Sequence, residues 1–294
     1  MGLIPVTFLS QYAYRWELLM GLPLSLESSA LHALVIHLGV AADGVLPVAC
    51  GRAIHAQVLQ WFRLADPDIS EAIHQSQESP ISLSGLMGKH RKSGVRAGDE
   101  FFFRIGLLNG SLLGPLLYGL EQWGDKPFSL AKCPFVLRSI NVVPGTDPWV
   151  GSSDYSLLAK ISTTSDELLL KLLSPTSFKL NSGQGIQPFP LPESVFGNLQ
   201  RRWNVFAPEE WQFSKIQWSG LVSDYDLKTQ KIKMDNSVEI GAVGWVRYRF
   251  PDPEQARRAT ILAHFAFFAG VGRKTAMGMG QVFLQQNGAS TYTT

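Results

Sequence analysis

The chain has 294 residues, 45% of them hydrophobic and 17% charged, with a formal net charge of +2 and a pI near 8.5. That length suits two domains of roughly 100–150 residues each, and the apolar content excludes an intrinsically disordered chain. So small a charge excludes a protein that holds nucleic acid by its bulk field alone, and any such surface has to be built locally. Two cysteines, Cys50 and Cys133, are too few for a disulfide framework and predict a reducing, cytoplasmic setting. Met1–Leu26 is apolar but interrupted by Pro5, Arg15, Glu17 and Pro23, and does not read as a signal peptide. Ile261–Ala269 is far short of the roughly 20 residues of a membrane span. It predicts a buried helix, and no membrane partner is expected.

In chain order, the aliphatic run Leu31–Val40 predicts a strand, followed by a loop at Gly44 and Pro47 and a helix over Arg52–Leu64. Pro80–Leu86 and the phenylalanine-rich Glu100–Leu108 predict two more strands, Ser111–Gln122 a helix and Phe135–Val143 a strand. That order, β-α-β-β-α-β, is the ferredoxin-like (RRM-like) unit of an α+β fold. Pro144–Ser153, rich in turn residues, is the natural boundary, giving domains at 1–147 and 148–294.

The pattern then repeats. Glu167–Leu173 predicts a strand, Pro192–Trp203 a helix, and Phe213–Asp224, Lys231–Met234 and Ile240–Phe250 strands joined by hairpins. The following helix has marked ends: Asp252 as N-cap, Pro253 at the first helical position and Gly270 past the last turn. Gln281–Gln285 predicts the last strand, and the tail after Asn287 reads as disordered.

Between that helix and the last strand runs Gly270-Val271-Gly272-Arg273-Lys274-Thr275-Ala276-Met277-Gly278-Met279-Gly280. Glycines let a backbone turn sharply and approach a ligand closely, and Arg273 and Lys274 bring charge to the same place, so a phosphate would suit the loop. A structural turn is the plainer alternative. Dinucleotide and P-loop patterns precede their helix, whereas this loop follows one. Two other stretches accompany it: Leu172-Leu173-Ser174-Pro175-Thr176-Ser177-Phe178, and Arg201-Arg202-Trp203 at a predicted helix end.

With these motifs the sequence resembles the CRISPR-associated repeat-processing endoribonucleases of the repeat-associated mysterious protein (RAMP) superfamily. The glycine loop before the last strand, the Ser-Pro-Thr strand end and the Arg-Trp helix end carry the resemblance. The Gly51–Leu64 helix with His55, then Ile73-His74 and Ile81–Leu86, extend it over nearly the whole chain from Ser29. It implies tandem ferredoxin-like domains, no cofactor, and cleavage of CRISPR repeat RNA to guide RNAs, with 2′,3′-cyclic phosphate and 5′-hydroxyl ends. It also leaves a rival, a non-cleaving RNA-binding subunit of a surveillance complex, with effector subunits as partners and the chain as monomer or homodimer.

Metal-free RNA cleavage needs a deprotonated 2′-hydroxyl, a protonated leaving oxygen and a stabilised phosphate; histidine serves either proton role near neutral pH. His55 lies beside the stripe of Ile54, Val58, Trp61 and Phe62, and the resemblance, which implies a catalytic histidine on this helix or the loop before it, favours His55. The lysine that some family members carry two turns later falls near Trp61 here, and no tyrosine lies between Leu31 and His55. Arg52, one turn before His55, is the nearest cation for the phosphate. Among the other histidines, His32 and His37 face opposite sides of one strand, His37 being the runner-up. His74 falls at a position the resemblance makes structural, His90 in the solvated run Lys89–Lys92, and His264 in an apolar helix.

RNA-holding candidates gather in the second half. Arg247 and Arg249 share one strand face with Trp245, Lys231 and Lys233 share another, and Arg201 and Arg202 close a helix. With Gly270, Gly272, Arg273 and Lys274 they predict a basic groove. No acidic cluster suited to Mg²⁺ and no Cys/His set suited to zinc stands out in the sequence.

Overall fold

A computed structural model describes residues 3–5, 26–47, 49–89, 91, 94–162, 164–180, 185–234 and 237–285. His90, Lys92, most of Met1–Leu26 and the tail after Asn287 lie outside the described residues. The chain forms two compact units. One holds the described residues up to Tyr155 together with Ala276–Gly278, the other Ser156–Thr275 and the described residues from Met279.

In the first unit the elements are β1 (Leu3–Pro5), β2 (Ala30–Val40), α1 (Gly51–Ala65), α2 (Pro67–Gln75), β3 (Ile81–Leu83), β4 (Met87–Gly88), β5 (Glu100–Leu107), α3 (Leu113–Trp123), β6 (Phe128–Leu130), β7 (Cys133–Asn141) and β8 (Gly151–Asp154). The main sheet runs β1-β7-β2-β5-β3, all antiparallel. Counting β2, β3, β5 and β7 as the four strands of a β-α-β-β-α-β unit, their spatial order is 4-1-3-2, that of a ferredoxin-like sheet. Alternation sends Leu34, Ile36, Leu38 and Val40 to one face, where they join Ile54, Val58, Trp61 and Phe62 of α1 in the core. Trp61 stacks on Phe103 and meets Phe128 edge-on. Gly119 lets α3 close on α1, since a Cβ there would lie 1.8 Å from the Trp61 carbonyl oxygen.

The second unit contains β9 (Glu167–Thr176), β10 (Phe178–Lys179), β11 (Ile186–Gln187), α4 (Pro192–Phe206), β12 (Leu221–Met234), β13 (Ser237–Arg249), α5 (Pro253–Ala269) and β14 (Val282–Gln285). Its sheet order, β12-β13-β9-β14, is again 4-1-3-2 in kind, with the helices in the two crossovers. Leu168, Leu170, Leu172, Val246 and Tyr248 are buried, and Phe196 of α4 meets Tyr248 and Phe250 edge-on. The ends of α5 match the sequence signals: Asp252 Oδ1 accepts from the Gln255 N–H at 2.8 Å, and Gly270 takes φ 66°. The protein is an α+β pair of ferredoxin-like folds. Among the described residues no helix is long and apolar enough to cross a membrane.

Beyond the short strands β1, β4, β6, β10 and β11, which the sequence-based expectation lacks, three stretches differ from it. Helix α2 is additional to it, although Pro67 opens that helix and Asp66 caps it by accepting from the Asp68 N–H. Gly151–Asp154 is strand, paired with β2, where turn residues predict connection. Residues 213–220 are not strand. In place of a strand partner, the Asn204 side chain accepts from the Phe213 N–H and donates to its carbonyl, while the Phe213 ring stacks on Trp203. The strand instead runs unbroken over Leu221–Met234. Because β13 pairs with β9 only from Ala242 onward, the outer part of β12 and β13 is a two-stranded ribbon.

Candidate active site and nucleic-acid surface

In the first unit the site is built on the start of α1. Gly51 has no room for a side chain, because a Cβ would lie 1.9 Å from the Met277 carbonyl oxygen. Beside it Gly278 pairs with Ser84 in a parallel bridge, and Ala276 joins the hydrophobic core. This part of the glycine-rich loop thus packs at the N-terminus of the helix that carries Arg52 and His55. Arg52 is exposed. His55, one turn in, is half-buried beside a fully buried stripe, the placement its spacing from Ile54 and Val58 predicts. Burial, reinforced by the charge of His74, holds its imidazole below the ordinary value and favours the neutral form.

The remaining described histidines are placed otherwise. His32 is buried, its Nδ1 3.2 Å from Ser152 Oγ. His37 alternates with the core residues Ile36 and Leu38 and so takes the sheet face away from the helices. Its ring is 5.8 Å from Phe102, and among the described residues its buried Nε2 has no hydrogen-bond partner. His74 is exposed on α2, and His264 is half-buried, with burial lowering its affinity for a proton.

In the second unit the first half of the glycine loop is tied to the protein rather than left open. The Val271 N–H donates to the Gly280 carbonyl, the Gly272 N–H to Asn198 Oδ1, the Arg273 N–H to the Ser177 carbonyl and the Gly280 N–H to the Pro175 carbonyl. A Cβ on Gly272 would lie 2.4 Å from the Ser177 carbonyl oxygen, and one on Gly270 would lie 3.0 Å from that of Gly280. The loop folds onto itself and onto the Ser-Pro-Thr strand end, and this accounts for both glycines. Close approach of a phosphate to Gly270 and Gly272, the other expectation, is not needed to explain them.

Arg202 also departs from its expected role in a groove. It is 2% exposed, and its Nη1 donates to the carbonyls of Ala269 and Gly270, so it closes the C-terminal end of α5 instead of meeting solvent. Its neighbour Arg201 is exposed. Both loop cations are engaged: Lys274 Nζ donates to Glu239 Oε1 at 2.5 Å and Arg273 Nη1 to Glu239 Oε2 at 3.1 Å. Burial pushes the Glu239 carboxyl up, but Lys274 and Arg273 outweigh it and hold the group below its usual range. Glu239 is absent from the candidates that sequence reasoning gathers. The one signal for it is its place in the alternation of β13, on the face of Trp245 and Arg247.

The predicted basic groove is split. Val246 and Tyr248 point to the helices, so Trp245, Arg247 and Arg249 occupy the helix-free face of β13, and Glu239 shares it. Lys231 and Lys233, both exposed, stand opposite Ile240 and Val238 and belong to the other face. Arg247 is half-buried, and Arg249 is exposed with Asp166 at 3.8 Å. One sheet face thus gathers Trp245, Arg247, Arg249 and, through Glu239, Arg273 and Lys274.

Residues 170–282 match the family model of the CRISPR-associated endoribonuclease Cas6. A Cas6 product complex is 19% identical with a TM-score of 0.75, over 87% of this chain and 100% of that one. A second Cas6 product complex is 26% identical with a TM-score of 0.67, over 87% of this chain and 100% of that one. A Cas6-related structure from Pyrococcus furiosus, 17% identical, reaches a TM-score of 0.58 over 87% of this chain and 99% of that one. No curated protein matches by sequence. The match over residues 170–282, which takes in the glycine loop and the Ser-Pro-Thr strand end, makes this part of the chain similar to the Cas6 family, and the tandem fold is shared with Cas6 and RAMP structures.

Proposed function

We propose that the chain cuts CRISPR repeat RNA into guide RNAs by attack of a 2′-hydroxyl on the adjacent phosphate. The observation that carries the reading is His55, half-buried one turn from the Gly51–Met277 contact and held toward its neutral form. Neutral His55 accepts the 2′-hydroxyl proton, the O2′–P bond forms and the P–O5′ bond breaks, and the leaving 5′ oxygen takes up a proton. Arg52, one turn earlier, meets the charge of the phosphate. Trp245, Arg247 and Arg249 hold the strand on the helix-free face of the second unit, with Arg201 as a further phosphate contact. The likeness to two Cas6 product complexes supports the substrate class.

No step calls on a metal ion, so the purified chain should cut repeat transcripts in excess EDTA. The products should end in 2′,3′-cyclic phosphate and 5′-hydroxyl. Loss of cleavage in EDTA would overturn the metal-free route, and 3′-hydroxyl with 5′-phosphate ends would overturn attack by the 2′-hydroxyl.

The His55–His74 relation gives a pH test. Because both burial and His74 depress His55, its proton should leave below the ordinary histidine value of about 6.5, and the active neutral form should persist to that lower pH. His74→Ala removes one of the two causes and should move the His55 midpoint upward in an NMR titration of the free protein. The low-pH limb of cleavage at sub-saturating protein should move the same way. An unmoved midpoint would show that His74 does not act on His55.

A further inference from the structure

Glu239 is a buried carboxylate on a sheet face proposed to hold a polyanion, a placement that needs a reason. It is 5% exposed, while the side chains of its partners Arg273 and Lys274 are each 22% exposed. Each carboxylate oxygen takes one cation. Lys274 adopts φ 55°, a left-handed conformation that a residue with a side chain rarely takes. The Arg273 N–H is fixed on the Ser177 carbonyl. Two cations against one carboxylate leave a net charge of +1 at this point. Each cation gives Glu239 one hydrogen bond, Lys274 to Oε1 and Arg273 to Oε2.

Taking the RNA-processing reading as its basis, we infer that Glu239 is a positioning residue for RNA: it sets the Arg273 and Lys274 head groups side by side as a paired site for one backbone phosphate. A long flexible cation loses side-chain freedom when it grips a ligand, and one already held loses less. The sign of the effect separates this from bulk electrostatics. Removing a negative charge beside RNA should tighten binding if only the field matters. If Glu239 positions the pair, removing it should weaken binding.

The experiment uses the full chain and its repeat RNA. Glu239→Gln should raise the dissociation constant about 5- to 20-fold. It should also reduce the slope of log affinity against log salt by up to roughly 0.7 for each single-strand phosphate no longer gripped. Glu239→Asp should recover part of the affinity. In the Arg273→Ala, Lys274→Ala background, Glu239→Gln should add little, whereas a merely structural role would add its full effect. Tighter or unchanged binding by folded Glu239→Gln overturns the inference. If Glu239→Gln does not fold, the double alanine variant decides, and an unaltered salt slope there overturns it equally. Wild-type protein that neither binds nor cuts repeat RNA would instead remove the functional reading.

Discussion

His55→Ala should slow single-turnover cleavage of repeat RNA by roughly 10²–10⁴-fold, the usual share of general acid–base catalysis. The loss should appear at saturating protein, because a proton transferred in the transition state leaves the ground-state complex alone. Binding should barely change, since the proposed grip on the strand comes from cations on other elements. Stability should hold as well: His55 stands outside the buried stripe of α1, and alanine suits a helix. A variant that cuts at the wild-type rate would move the role away from His55, with His37 and its buried Nε2 next in line. A variant that fails to bind would mean that His55 holds RNA rather than moving a proton.

Arg202→Ala should have the largest effect on stability. The change takes a buried guanidinium from two helix-end carbonyls, opens a cavity and removes a cation from the negative end of α5. Together these should cost about 3–5 kcal/mol. Thermal unfolding should report it as a fall of roughly 6–20 °C. Arg201→Ala, one residue earlier and exposed, should leave the melting temperature within about 2 °C. A melting temperature unchanged in Arg202→Ala would show that the guanidinium is not holding the end of α5.

Those two arginines differ in how legible they are. Arg201 and Arg202 look alike as a basic pair at a helix end, yet Val195, Leu199 and Arg202 fall at helical spacing on the buried stripe and Arg201 does not. Register therefore carries the distinction, and charge alone hides it. The glycines of the loop mark correctly where the backbone is unusual. What stands against Gly272, the Ser177 carbonyl, is non-local and leaves no trace in the spacing. Glu239 is 34 residues from Arg273, and local pattern does not reveal such a pair. The β-α-β-β-α-β order is legible twice because each core strand alternates and each helix carries a stripe. The unbroken β12 is not, because its outer half lies in a ribbon where most residues on either face are polar or exposed, and the alternation that announces a strand disappears.

The place of Ala276–Gly278 sets a constraint on how the protein is made. Ala276 completes a hydrophobic core otherwise assembled from residues 34–143, and Met277 and Gly278 lie against Gly51 and Ser84. A ribosome has therefore passed the whole second helix pair before the N-terminal core receives its last piece. Until then the start of α1, which carries Arg52 and His55, lacks the carbonyl that stands against Gly51. Residues 1–155 released alone would carry that gap permanently, so the nascent first half is synthesised long before the surroundings of His55 are complete.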